Sequence, residues 1–220
     1  MNRKKQISGG IYLVIDPAVK EEELFFKLKI ILSQEIAAVQ IWDNFSSSEE
    51  EQLRIVNQVV NICHSKNVPV LLNNNWKLLE KSKADGVHFD EVPEDFEIVR
   101  KNSEENALFG LTCNNDLSVI EWAEKHELDY ISFCSMFPSQ TSNSCEIVTH
   151  ESVKKAREIT KMPIFLAGGI QDSNVAALKD LDFDGIAVVS GIMSAKDPGA
   201  ATKNYLTELN KLKNEICNHK

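Results

Sequence analysis

The sequence predicts a single (β/α)8 (TIM) barrel, an α/β fold, and three observations carry that prediction. Short β-branched runs recur along the chain, and each is followed by a stretch with helical periodicity. The runs are almost continuously apolar, as parallel strands buried on both faces require. Eight such units in 220 residues leave about 27 residues for each, the scale of a compact barrel of right-handed βαβ repeats. The competing architecture, a doubly wound open sheet, places a Gly-rich turn after its first strand, where this chain has Asp16, Pro17 and Ala18. No linker or low-complexity stretch breaks the pattern, so residues 1–220 are expected to form one domain.

The elements follow in order. Residues 11–15 (IYLVI) form the first strand, with a helix from Glu21 to about Leu32. Residues 38–42 (AVQIW) precede a helix from about Ser48 to Lys66, in which Leu53, Val56, Val59, Val60 and Cys63 share one face. Ser48 with Glu51 three residues on reads as a capping box at its start. Residues 70–72 form the third strand, with a short helix from Trp76 to Lys83, and residues 86–89 (GVHF) the fourth, before a helix near residues 94–102. Residues 108–112 lead to a helix over about 117–127, and residues 130–134 (YISFC) to one over about 150–160. Residues 164–167 and 185–189 are the seventh and eighth strands, with helices near 173–179 and from about Ala200 onward.

Composition narrows the function classes. A net charge of −9 argues against a general nucleic-acid binder, which needs a basic stripe. No apolar run approaches the roughly 20 residues that span a bilayer, and the basic start lacks a signal peptide's apolar segment, so the expected location is the cytoplasm. The five cysteines are scattered, without a Cys-x-x-Cys pair or histidines at ligand spacing, and read as packed thiols and not as a metal centre.

Barrel enzymes work at the C-terminal ends of their strands, and the loops after strands seven and eight commonly hold phosphate. Here Gly168 and Gly169 follow strand seven, with Ser173 and Asn174 placed to cap the next helix, and Val189 and Ser190 close strand eight. Glycines let backbone N–H groups approach a phosphate. A tight turn is the other use of Gly-Gly, but two such loops in the correct order point to phosphate. His88 ends strand four and is a candidate general base, set against a hydrogen-bonded histidine supporting the rim. Gln40, Asn73, Thr112, Ser139 and Thr141 form a neutral polar set able to orient a small heterocycle.

Residues 12–16 (YLVID), 39–40 (VQ), 68–73 (VPVLLN), 84–88 (ADGVH), 129–138 (DYISFCSMFP), 167–170 (AGGI) and 185–190 (GIAVVS) stand together in order and spacing. Through them the chain resembles the thiamine-phosphate synthase/TenI family over about residues 11–200. The resemblance implies a transferase of thiamine biosynthesis. Its synthases join a pyrimidine diphosphate to a thiazole phosphate with magnesium and release diphosphate. The implied ligand is a small phosphorylated heterocycle, thiazole phosphate or thiamine phosphate, and a homo-oligomer is compatible with it.

Departures from the family pattern cluster where diphosphate is handled. The family's arginine after Gln40 reads Trp42, its lysine two further on reads Asn44, and its lysine after the second threonine reads Ser142. Its metal aspartate after strand three reads Asn74, and its second reads Pro93; Asp90 or Asp95 substitutes only through a shifted loop. Trp42 either stacks on an aromatic ring or plugs the vacated diphosphate pocket. A diphosphate carries about three negative charges, and losing one preorganised electrostatic group typically costs roughly 100- to 1,000-fold in rate. The expectation is weakened synthase chemistry, no tightly bound cofactor, and Mg2+ only if synthase activity is retained. The alternatives are a non-catalytic ligand-binding or regulatory paralogue and a thiazole tautomerase. In the latter branch a histidine follows strand six, where this chain has Ser135.

Overall fold

The computed structural model describes residues 5–138 and 146–218. Eight parallel strands close into a barrel in chain order: β1 Gly10–Ile15, β2 Ala38–Ile41, β3 Val70–Asn73, β4 Gly86–Phe89, β5 Leu108–Cys113, β6 Tyr130–Phe133, β7 Ile164–Leu166 and β8 Gly185–Val188. Closure comes from β1 pairing with both β2 and β8, with Leu13 opposite Val39 on one side and Val188 on the other. Helices α1 (Glu21–Ile31), α2 (Glu49–His64), α3 (Trp76–Leu79), α4 (Phe96–Asn102), α5 (Ser118–Lys125), α6 (His150–Ile159), α7 (Ser190–Met193) and α8 (Pro198–Asn218) surround it. The chain is thus a single (β/α)8 barrel.

Two local expectations change. A 3-10 helix over Asp172–Leu178 stands where an α-helix starting at Ser173 was expected. Asn174 lies inside it and reaches back, accepting from the Gln171 N–H and donating to the Gly169 carbonyl. It therefore braces the Gly168–Gly169 turn. Helix α7, one turn directly after β8, has no signal in the sequence because its four residues are too few for a periodicity. The Ser48 cap is present, its hydroxyl accepting from the Glu51 N–H, but the Glu51 side chain turns to Arg54, so the box is half formed.

Strand alternation sorts the residues into two cores. Leu13, Val39, Val87, Ile131 and Ile186 face the helices, whereas Tyr12, Ala38, Leu71, Leu108, Tyr130 and Phe165 fill the barrel. Three of the interior residues are large aromatics, and glycines on other strands give them room. A Cβ on Gly110 would lie 2.0 Å from Tyr130 Cζ, and one on Gly185 would lie 2.4 Å from Phe165 Cε1. At the opposite rim, Asp85, Asp129 and Asp184 each precede an even-numbered strand. Their carboxylates accept the N–H of Val70, Phe109 and Ile164, within or at the start of the preceding strand. Arg157 pairs with Asp184, and His64 and Lys5 with Asp85, so these carboxylates lock the N-terminal end of the barrel. That leaves the C-terminal mouth free for chemistry.

Candidate active site

Above the aromatic layer the interior turns polar. Gln40, His88, Thr112, Tyr12 and Tyr130 come from five strands and are joined by one chain of hydrogen bonds. Tyr12 Oη donates to Gln40 Oε1 at 2.9 Å, and the two tyrosine hydroxyls lie 2.7 Å apart. His88 Nδ1 is 2.9 Å from Tyr130 Oη, and Nε2 is 2.8 Å from Thr112 Oγ1. Because Tyr12 gives its proton to Gln40, the other donors must point the same way. Tyr130 donates to Tyr12, His88 Nδ1–H to Tyr130, and Thr112 to His88 Nε2. Burial drives the His88 pKa down to about 4, against a smaller opposing effect of Asp90, so the ring is neutral near pH 7. Burial also raises both tyrosines well above their ordinary value. His88, 4% exposed and engaged at both nitrogens, has the geometry of a rim-supporting residue.

The mouth holds a cavity of about 430 Å³ bounded by this chain, Trp42, Asn73, Ser132 and Cys134. The Trp42 indole is 39% exposed and lies on the cavity wall. Asn73 and Asn74 both donate to Asp90 Oδ2, at 3.0 and 2.8 Å, and Asn74 Oδ1 accepts the Asp90 N–H. Asn73 lines the cavity, whereas Asn74, at φ 55°, clamps Asp90 from outside. Asn44 lies on the rim and donates to the Asp16 carboxylate.

Among the described residues no group of three or more His, Cys, Asp or Glu side chains is placed to hold a metal. Asp90 has one oxygen committed to two amides, and Asp95 is not among the lining residues. Magnesium held by protein needs one or two carboxylates together with substrate phosphate oxygens. The amide-clamped Asp90 does not fit a tight site for this ion.

A second cavity, about 500 Å³, joins the first along Gly168, Ala187 and Val189. Gly169, Ser190 and Gly191 line it, so the loops after β7 and β8 meet at one mouth. Gly168 and Gly169 have φ of 83° and 65°, a region that favours glycine. Space demands glycine as well: a Cβ on Gly169 would lie 2.6 Å from the Pro138 carbonyl oxygen. Among the described residues, the N–H groups of Gly168, Gly169, Ser190 and Gly191 make no backbone hydrogen bond. Free N–H groups on converging loops suit the oxygens of a phosphate.

The structure thus brings together Gln40, Trp42, Asn73, His88, Thr112, Gly168, Gly169, Val189 and Ser190, and sets Asn74 behind Asp90. Ser139 and Thr141, with Ser142, lie outside the described residues. Sequence reasoning missed Tyr12, Tyr130 and Ser132 as site residues. The only available signal was their place on strands one and six, two residues apart in the case of Tyr130 and Ser132. Cys63 and Cys113 are buried thiols pushed up to about 12 by burial, which suits packing groups. Lys81 pairs with Glu49 and Lys77 lies over Trp76, so neither reaches the cavity.

Comparison with known proteins agrees with this fold. The family model described as thiamine monophosphate synthase matches residues 11–192. The thiamine-phosphate synthase of Fusobacterium nucleatum is 30% identical over 204 residues, spanning 91% of this chain and 97% of that protein. That of Methanobrevibacter smithii is 28% identical over 202 residues, spanning 90% and 94%. In fold, the chain is similar to the thiamine phosphate pyrophosphorylase of Pyrococcus furiosus, with a TM-score of 0.79, 23% identity and coverage of 98% and 99%. The chain belongs to the thiamine monophosphate synthase/TenI family of thiamine biosynthesis, for which transferase chemistry is the family-level expectation.

Proposed function

We propose that this barrel binds a small phosphorylated heterocycle of thiamine biosynthesis, thiazole phosphate or thiamine phosphate, and turns over diphosphate poorly. The observation that carries the reading is the contrast between two joined cavities. One has glycine-loop N–H groups that make no backbone hydrogen bond among the described residues, and the other has no lysine or arginine among its described lining residues. Backbone donors depend on chain geometry, so the phosphate cup of Gly168, Gly169, Val189 and Ser190 survives side-chain drift. The diphosphate end depends on side-chain cations and a metal, and Trp42, Asn44, Asn74 and Pro93 supply neither.

Each residue then has a role. The ring enters the first cavity between Trp42 and the polar set of Gln40, Asn73 and Thr112. His88, neutral and bonded on both sides, holds Thr112 and the tyrosines in place and moves no proton. Ser139 and Thr141 remain candidates for the ligand's polar atoms. Mg2+ enters only with a diphosphate substrate. The absence of cations also favours the non-catalytic, ligand-binding reading of the same site. Among the described residues no helix is long and apolar enough to cross a membrane.

Isothermal titration with thiazole phosphate tests the reading. Binding that inorganic phosphate displaces, and that Gly169→Asp abolishes, is expected. No binding by the unmodified protein overturns it.

A further inference from the structure

The loops after β7 and β8 converge without touching each other through their backbones. The β7–β8 ladder ends where Leu166 pairs with Ile186. Beyond it, among the described residues, no backbone hydrogen bond joins residues 167–171 to residues 189–193. A side chain of α8 bridges them instead. Thr202, Tyr205, Leu209 and Leu212 recur at helical spacing and form the buried face of that helix. Tyr205, 3% exposed, is the one aromatic residue among them, and its ring packs into the core between barrel and helices.

The Tyr205 hydroxyl meets both loops. Oη donates to the Ile170 carbonyl at 3.1 Å, which fixes the loop after β7. A Cβ on Gly191, in the loop after β8, would lie 2.0 Å from the same Oη. Unlike Gly168 and Gly169, Gly191 does not have a positive φ. Space and not backbone conformation therefore calls for glycine there, and the Tyr205 hydroxyl fills that space. Burial, and after it the nearby Asp172 carboxylate, raises the Tyr205 pKa, so the hydroxyl keeps its proton and can donate at neutral pH. Ile170 and Gly191 both line the cup, whereas Tyr205 stands behind them.

We propose that Tyr205 is a positioning residue for the phosphate. By tying Ile170 to Gly191 it sets the spacing of the two loops. That spacing makes the N–H groups of Gly168, Gly169, Ser190 and Gly191 converge on one set of oxygens. Donors fixed in advance lose no freedom when the phosphate arrives. The proposal rests on the phosphate cup and names the residue that keeps its shape; Tyr205 itself touches no ligand.

The test compares thiazole phosphate with the dephosphorylated thiazole alcohol, by calorimetric titration and competition on the full chain. Tyr205→Phe keeps the ring and removes the bridge. It is expected to weaken thiazole phosphate on the order of fivefold, about the worth of one hydrogen bond, and to leave the alcohol unchanged. Thr202→Val is the control, because it removes a hydrogen bond to the Pro198 carbonyl from the same buried face. It should lower stability and change neither affinity. Gly191→Ala should weaken thiazole phosphate in the parent and do so less in Tyr205→Phe, where the nearest ring atom is Cζ at 3.0 Å. Equal loss of both ligands, loss of neither, or the same loss in Thr202→Val overturns the proposal and leaves the cup standing. Independent effects of Gly191→Ala and Tyr205→Phe overturn it as well. An unmodified protein that binds thiazole phosphate no more tightly than the alcohol overturns the proposal and the cup together.

Discussion

Tyr130→Phe removes one oxygen atom from the middle of the barrel and breaks the hydrogen-bonded chain on both sides. The ring contacts survive, since the Tyr130 ring packs on Tyr12 and Phe165 at centroid distances of 5.5 and 5.7 Å. What is lost is the acceptor for His88 Nδ1–H and the donor to Tyr12 Oη, both in residues at most 4% exposed. A buried donor left without a partner costs about 1–3 kcal/mol, and the weakened tyrosine contact adds about 1 kcal/mol. The expected loss is thus about 2–4 kcal/mol in urea unfolding followed by circular dichroism. Tyr12→Phe strands the Tyr130 hydroxyl and Gln40 Oε1 in the same way. Removing both hydroxyls eliminates a donor together with its acceptor, so the double variant should cost about 1–2 kcal/mol less than the sum of the singles. A Tyr130→Phe protein within about 0.5 kcal/mol of the parent, or strict additivity in the cycle, would refute the chain as drawn.

Two further outcomes follow from the same interior. Burial lowers the His88 pKa from 6.5 to about 4, so the unfolded chain takes up a proton that the folded chain refuses. Stability is therefore fully present above about pH 6.5 and declines as pH falls toward about 4, by on the order of 3 kcal/mol; His88→Gln should flatten that part of the profile, and an unchanged slope would contradict it. Gly110→Ala places a methyl group 2.0 Å from Tyr130 Cζ. It should destabilise by about 2 kcal/mol or more, and unfolding at the parent's urea midpoint would show that the ring has room to move.

The barrel was legible because eight short apolar runs are each followed by a stretch with helical periodicity, and the meeting of the two glycine loops because they follow strands seven and eight. The interior was not. Strands buried on both faces carry little alternation in their hydrophobicity, so nothing in residues 130–134 announces that Tyr130 and Ser132 face inward while Ile131 and Phe133 face the helices. The Gln40-to-Thr112 chain joins residues from β1, β2, β4, β5 and β6, a relation that appears only once the barrel closes. The Asn74-to-Asp90 clamp was hidden for the same reason, since it crosses between the loops after β3 and β4. Asn174 does cap this helix, accepting the Gln171 N–H from within its first turn, but its second role, donating to the Gly169 carbonyl, depends on where the 3-10 helix begins.

The central claim is that the phosphate cup is intact while diphosphate handling is lost. Its most direct measurement is the steady-state rate of thiamine phosphate formation with both substrates and Mg2+ supplied, set beside a relative with the complete motif under the same conditions. The account predicts turnover at least roughly 1,000-fold lower, as expected for several missing electrostatic groups, in a protein that still binds thiazole phosphate. Turnover at the level of the motif-complete relative would contradict it and leave an ordinary synthase.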